Sequence, residues 1–154
     1  MVRRAGPADA DVMSALNTDV QGVHAAALPD SFKPPGPEAF SPAAAADVLA
    51  KPDNLVFIAE VDEAPAGYAY AEVRRVPETA ARYAYEVVHL HHLSVRPGYR
   101  RQGVGQRLLD AVRSAGEEVG IALLTLDVWS FNESARAFFH RHGFKPYNER
   151  LWNR

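Results

Sequence analysis

The segment Val95-Arg96-Pro97-Gly98-Tyr99-Arg100-Arg101-Gln102-Gly103-Val104-Gly105 joins two stretches of opposite periodicity, so the chain needs a fold in which a sheet strand feeds straight into a helix. Upstream, Tyr83–Val95 is rich in aromatic and β-branched residues and reads as a strand. Downstream, Val104, Leu108, Val112, Ala115 and Val119 recur on one face and Arg107, Asp110, Arg113 and Glu117 on the other, which predicts a helix over Gly103–Val119. The first N–H groups of such a helix have no partner within it, and the macrodipole adds about half a positive charge there. Glycines leave those donors uncovered, and Arg100 and Arg101 add further charge. The turn suits a diphosphate. It is neither of the two common phosphate loops. A dinucleotide fingerprint needs a third glycine where Gln106-Arg107-Leu108 stands, and a Walker A loop needs Gly-Lys-Ser/Thr.

With 154 residues, 47% of them hydrophobic, the chain is expected to form one domain over 1–154. Val2-Arg3-Arg4 reads as a short first strand, and Pro7 to Leu28 as a helix striped by Val12, Leu16, Val20, Val23 and Ala27. Six of the eleven prolines lie between Pro29 and Pro52, so that region is loop-rich, with one short helix around Ala43–Ala50. Leu55–Val61 and Gly67–Val76 read as a hairpin turning at Glu63-Ala64-Pro65-Ala66, and Ile121–Trp129 as a further strand. Ser130-Phe131-Asn132-Glu133 has the form of a capping box, with Gly143 placed for a left-handed stop. The tail Phe144–Trp152 can form a last strand after Pro146. This order predicts an α/β (α+β) domain with a mixed sheet.

A net charge of -2 gives no general attraction to nucleic acid or to an acidic membrane, so any anion site must be local. Absence of cysteine excludes disulfides, thiolate nucleophiles and Cys-based zinc sites. The basic start meets Asp9 and Asp11 with no apolar core after it, so no signal peptide is expected, and no stretch has the apolar length of a membrane span. The expectation is a soluble, cytoplasmic protein.

Arg100-Arg101-Gln102-Gly103-Val104-Gly105 resembles the Arg/Gln-x-x-Gly-x-Gly/Ala signature of the GNAT acetyltransferase superfamily. His92-Leu93-Ser94-Val95-Arg96-Pro97 is similar to the strand that precedes it. Asn132-Glu133-Ser134-Ala135 with Phe138-Phe139-His140-Arg141-His142-Gly143-Phe144 is similar to the superfamily's later Asn-x-x-Ala…Gly-Phe motif. The resemblance implies a mixed, mostly antiparallel sheet of six to seven strands, splayed at its centre and flanked by about four helices. It also implies acetyl-CoA as donor. Leu93 and Val95 would pair with the pantetheine arm through their backbone, Arg100, Arg101, Gln102, Gly103, Val104 and Gly105 would cradle the pyrophosphate, and Asn132 and Ser134 would approach the thioester end. Homodimers, frequent in the superfamily, enter by the same analogy.

Transfer from a thioester to an amine needs a neutral amine, and a free alkylamine has a pKa of about 10.4, so a base or water chain must take a proton. Three imidazoles in His89-Leu90-His91-His92 are costly inside a strand unless paired. Strand alternation places His89 and His91 on one face and His92 on the other unless a bulge intervenes. His89-Leu90-His91 followed by Leu93 and Val95 resembles the His-Leu-His-x-Leu-x-Val segment of aralkylamine (serotonin-type) N-acetyltransferases, which implies His91 first and His89 second as the base. Glu72 and Glu86 are fallback bases. The His-x-His pair could also bind a metal, but no obvious third ligand accompanies it, and no metal is expected.

In one respect the sequence departs from the superfamily: Phe139 stands where a tyrosine often donates a proton to the departing thiolate. A non-catalytic acyl-CoA-binding module or regulator is therefore the alternative to an N-acetyltransferase acting on a small-molecule amine or a peptide or protein amine. The stretch His24 to Phe40, with Phe32, and the strand tyrosines Tyr68, Tyr70, Tyr83 and Tyr85 are expected to border the acceptor cleft.

Overall fold

Apolar residues alternate along the chain on both sides of Asp62-Glu63, and in the computed structural model, which describes residues 1–154, these stretches fold back as a hairpin. Strands β2 (Asn54–Val61) and β3 (Ala64–Val76) meet at Val61 and Ala64, so the turn is only Asp62 and Glu63, both left-handed at φ 51 and 64. It comes earlier than the Glu63–Ala66 expected. Pro65 lies inside β3 opposite Glu60, beside a bulge that leaves Ala66 unpaired, and there its missing N–H is tolerated.

β1 (Val2–Arg4) adds to β2, and β4 (Tyr85–Val95) to β3, all antiparallel; β5 (Leu124–Leu126) runs parallel to β4. The sheet is mixed and mostly antiparallel, in the order β1-β2-β3-β4-β5. It has five strands, not the six to seven expected. The Ile121–Trp129 run pairs only at Leu124–Leu126, because β4 diverges from it beyond Leu90. Phe144–Trp152 forms no strand. Pro146 has no N–H to give a ladder, and the tail is held by Trp152 against Trp129 (5.8 Å between rings) and by Arg154 on Ser31.

Helices cover both faces. α3 (Val104–Glu118) packs Val104, Leu108, Leu109 and Val112 onto Ala69, Ala71, Val88 and Leu90. Full burial of each such leucine or valine stabilises by roughly 2 kcal/mol. On the other face α1 (Ala10–Ala27) and α2 (Pro42–Ala50) enclose Val56, Ile58 and Tyr68, with Ser41 capping α2 by accepting from the Ala44 N–H. The buried stripe of α1 is Met13, Leu16 and Asn17; Val23 is exposed. The fully buried residues of α1 all lie in its first half, while Gln21 and Gly22 face the Lys33–Pro35 loop.

Asn132, not Ser130, caps α4 (Glu133–Arg141), accepting from the Ala135 N–H, while the Ser130 carbonyl accepts from Arg136. α4 stops as its glycine predicts. Gly143 has φ +90, its N–H donates to His140, and that of Phe144 donates to Phe139. No helix is long and apolar enough to cross a membrane.

Candidate active site

The open edge of β4 is the first feature of the site. β4 pairs with β3 as far as Val95 but with β5 only from Val88 to Leu90. The Arg96 N–H donates to the Ala66 carbonyl at 2.8 Å. In an antiparallel ladder such bonds alternate, so Ser94 and His92 also turn their backbone groups to β3. Those of Leu93 and Val95 then point to the edge that β5 has left. The Val95 carbonyl accepts from Arg100 Nε at 3.1 Å, and the Leu93 groups and the Val95 N–H face the slot.

A 3₁₀ turn, Pro97–Tyr99, brings the chain to the glycine-rich turn. Arg101 and Gly103 are left-handed, at φ 62 and 75, which curls successive amides around one point. No backbone N–H from Arg101 to Gln106 donates a hydrogen bond within the protein. Gly103 is required by its φ, since an added Cβ would touch nothing. Gly105 is favoured by space: a Cβ there would stand 3.3 Å from the Phe138 ring, which would have to shift. Gln102 and Arg107 brace the turn by donating to the Gly98 and Gln102 carbonyls. Val104 is a core plug, 2% exposed, and offers the turn only its backbone. Asn132 Oδ1 is spent on its cap, and Ser134 lies exposed in the first turn of α4. This cradle, basic and rich in unspent donors beside an open strand edge, fits a diphosphate with an extended arm.

The second feature is histidine-rich. Tyr70 pairs with His92 and Ala71 with Leu90, so His91 is the extra residue of a bulge in β4. The bulge changes the alternation: Leu90 stays against α3, while all three imidazoles reach the α1 side. The His91 ring stacks on Tyr70 at 4.7 Å and lies 5.0 Å from His89, and the His92 ring meets Tyr70, Tyr68 and Phe40 edge-on.

Around His89 and His91 the charges alternate. His91 Nε2 is 3.6 Å from Glu72 Oε1 and 3.5 Å from the Arg74 guanidinium, which binds the same carboxylate at 2.6 Å. His89 meets Thr125 Oγ1 at 2.8 Å through Nδ1 and Asp127 at 3.5 Å through Nε2. Burial, then Arg74, lowers both histidine pKa values, against the carboxylates, which raise them. Arg74 holds Glu72 below the usual carboxylate range. The two imidazoles are therefore neutral, and ready to accept a proton, at neutral pH. They form no group that could hold a metal ion. Glu86 pairs instead with Arg75 at 3.6 Å, toward the far end of β4.

His92 is embedded more deeply. Asn17 Nδ2 donates to the Tyr68 hydroxyl at 3.0 Å, and that hydroxyl meets His92 Nδ1 at 2.9 Å. Burial, then His91 and His24, pushes the His92 pKa down to about 4. Nothing in the sequence marks Arg74, Thr125 or Asp127 as part of this face, and Asn17 is signalled only as a lone asparagine within the apolar stripe of α1.

At the rim, His24 stacks on Phe32 at 5.0 Å, and Phe131 and Trp129 close on the same pair. With Phe40 over His92, the stretch after α1 thus borders the histidine face. Of the four tyrosines, Tyr70 borders it and Tyr68 lies buried beneath; Tyr83 and Tyr85 sit exposed at the opposite end of β4. Phe139 packs between Phe138 and Phe144.

Residues 24–144 match the family described as "Acetyltransferase (GNAT) family". No curated relative matches the chain in sequence. Among solved structures, a point mutant of the BH1408 protein from Bacillus halodurans superposes with a TM-score of 0.92 at 22% identity, covering 100% of this chain and 98% of that one. The aminoglycoside N-acetyltransferase AAC(6')-Iy in complex with CoA superposes at 0.78 with 21% identity, covering 100% and 93%. A transcriptional regulator from Bacillus halodurans C-125 does so at 0.76 with 20% identity, covering 100% and 98%. At such identities the likeness is one of fold.

Proposed function

Since the chain belongs to the acetyltransferase (GNAT) family, we propose that it moves an acetyl group from acetyl-CoA to a primary amine by direct attack in a ternary complex. Acetyl-CoA is the acyl donor of this family. The observation that carries the reading is the run of unspent amides from Arg101 to Gln106, set at the end of a strand whose far edge is open. Those amides, with Arg100 and Arg101, hold the pyrophosphate, and the backbone of Leu93 and Val95 takes the pantetheine arm as an added strand. Gln102, Gly103, Val104 and Gly105 give the turn its shape; Asn132 and Ser134 stand at the start of α4, toward the thioester end.

His91, backed by His89, receives the proton. Both are neutral at neutral pH and half-buried on the acceptor side of β4. The amine nitrogen bonds to the thioester carbonyl carbon and loses a proton to the imidazole. The carbon–sulfur bond then breaks, and the sulfur leaves as thiolate or takes a proton from solvent. A thiol pKa of about 8.5 lets that departure proceed without a tyrosine, so Phe139 is no obstacle. The acceptor is a small-molecule amine or a peptide or protein amine. AAC(6')-Iy, an aminoglycoside N-acetyltransferase, shares the fold.

Thiol release from acetyl-CoA across a panel of amines tests the reading. Release that depends on one class of amine supports it. Tight acetyl-CoA binding with no release for any amine would instead make this a non-catalytic acyl-CoA-binding module or regulator, the reading that the packed Phe139 favours.

A further inference from the structure

Three polar groups from three elements meet beneath the histidine face. Asn17 of α1 is 5% exposed and Tyr68 of β3 is fully buried, yet neither is orphaned. Asn17 Nδ2 can only donate, so the Tyr68 oxygen accepts from it, at 3.0 Å, and the phenol hydrogen has one acceptor within reach, His92 Nδ1 at 2.9 Å. Nδ1 must then carry a lone pair. The single proton of a neutral ring resides on Nε2. An imidazolium would set a second N–H against the Tyr68 oxygen and leave the phenol hydrogen without its acceptor. Across the ring, Nε2 has no hydrogen-bond partner within the protein and is not fully buried.

We propose that His92 is a fixed neutral donor, held in the Nε2–H tautomer by the positioning residues Tyr68 and Asn17, and that it offers this N–H to the thioester carbonyl oxygen as that oxygen gains negative charge. The inference rests on the acetyltransferase reading given above. Its place in the fold favours it. His92 follows the bulge where β4 parts from β5 and immediately precedes Leu93, the first residue whose backbone faces the slot. A donor that stays neutral above pH 5 also keeps its charge state while His91 and His89, the proton acceptors beside it, change theirs.

The groups facing His92 are His91 on its own strand, His24 of α1, Tyr68 and Tyr70 of β3, and Phe40. None is a carboxylate that would draw a proton onto the ring.

Nitrogen-15 NMR of histidine-labelled protein reads the tautomer without any turnover. The six histidines give separate pairs of ring signals, and the His92→Gln spectrum identifies one of them. We expect a pyridine-type Nδ1 and a pyrrole-type Nε2, constant from pH 5 to 9. A proton on Nδ1, or a titration in that range, would overturn the proposal. Tyr68→Phe should mix the tautomers and lower kcat about tenfold with KM for acetyl-CoA little changed, and His92→Leu should lower kcat by about a hundredfold. His92→Gln, which keeps an N–H donor, should recover part of that loss. Unchanged kcat in His92→Leu overturns the donor role. A wild-type protein that turns over no amine removes the acetyltransferase reading instead, and the spectrum still decides the tautomer.

Discussion

Gly67 of β3 lies directly against Ser94 and Val95 of β4: a Cβ placed on it would meet the Ser94 carbonyl oxygen and stand 3.2 Å from the Val95 Cα. This close approach holds β4 to β3 just where its other edge faces the slot. Gly67→Ala therefore has to push the strands apart, since the atoms it meets are backbone and cannot rotate away. We expect a loss of about 2 kcal/mol, read as a lower denaturant midpoint, together with weaker acetyl-CoA binding. Wild-type stability in this variant would show that the approach is not tight.

Gly103→Val tests the cradle with less cost to the fold. Its Cβ has open space, so the penalty is that of a β-branched residue at φ 75, about 1–2 kcal/mol. Relief of that strain pulls the amides out of their arc. Calorimetric titration with coenzyme A is expected to show a dissociation constant raised about tenfold; an unchanged constant would detach the turn from the pyrophosphate.

Arg74→Gln should move the pH–rate profile. Arg74 is the second cause, after burial, that lowers His91 and His89, and a base acts only when neutral. The acid limb of the wild-type profile is thus expected below the ordinary histidine value of about 6.5. Loss of the guanidinium raises both pKa values and carries the limb to higher pH. A limb that stays in place would take both histidines out of the base role.

Stability, too, should depend on pH through His92. In the folded protein its pKa is about 4, whereas the unfolded chain takes its proton near 6.5. Between these values the unfolded state binds more protons, so stability falls as pH drops through the interval and stops falling on this account below it. The loss is on the order of 3 kcal/mol. His24, His89 and His91, also lowered by burial, act in the same sense, so the comparison that isolates His92 is the slope in His92→Phe, which should be shallower. Equal slopes in urea unfolding between pH 4 and 6.5 would contradict the neutral ring.

Phe139→Tyr is expected to leave turnover unchanged. The Phe139 ring sits 5.5 Å from Phe144 and 5.2 Å from Phe138, packed against the core at the end of α4. A marked gain in thiol release would place that ring edge at the sulfur.

The elements were legible to the extent that local patterns made them. The α3 stripe from Val104 to Ala115, the Gly143 stop and the hairpin strands follow from periodicity and from residues able to adopt positive φ. Where two local signals competed, the sequence misled. Ser130-x-x-Glu133 has the form of a capping box, yet Asn132 holds the cap. Glu63–Ala66 contains the proline that marks turns, yet the chain turns at Asp62-Glu63. A fifth strand of three residues and a tail with no ladder partner depend on where β4 leaves β5, which no local pattern records.

The sequence by itself determined the cradle: a strand, a basic turn, glycines at positions needing positive φ or close contact, and helix-start amides without partners, all within one short contiguous segment. Only the tertiary structure decided where the histidines lie and which groups they meet. The bulge at His91 brings His92 to the same face as His89 and His91, and packing of α1 on β3 sets Asn17 and Tyr68 behind it, fifty-one positions apart in the chain. A run of imidazoles states which groups are present. Their protons are assigned by burial and by partners from distant elements, and those are properties of the folded chain alone.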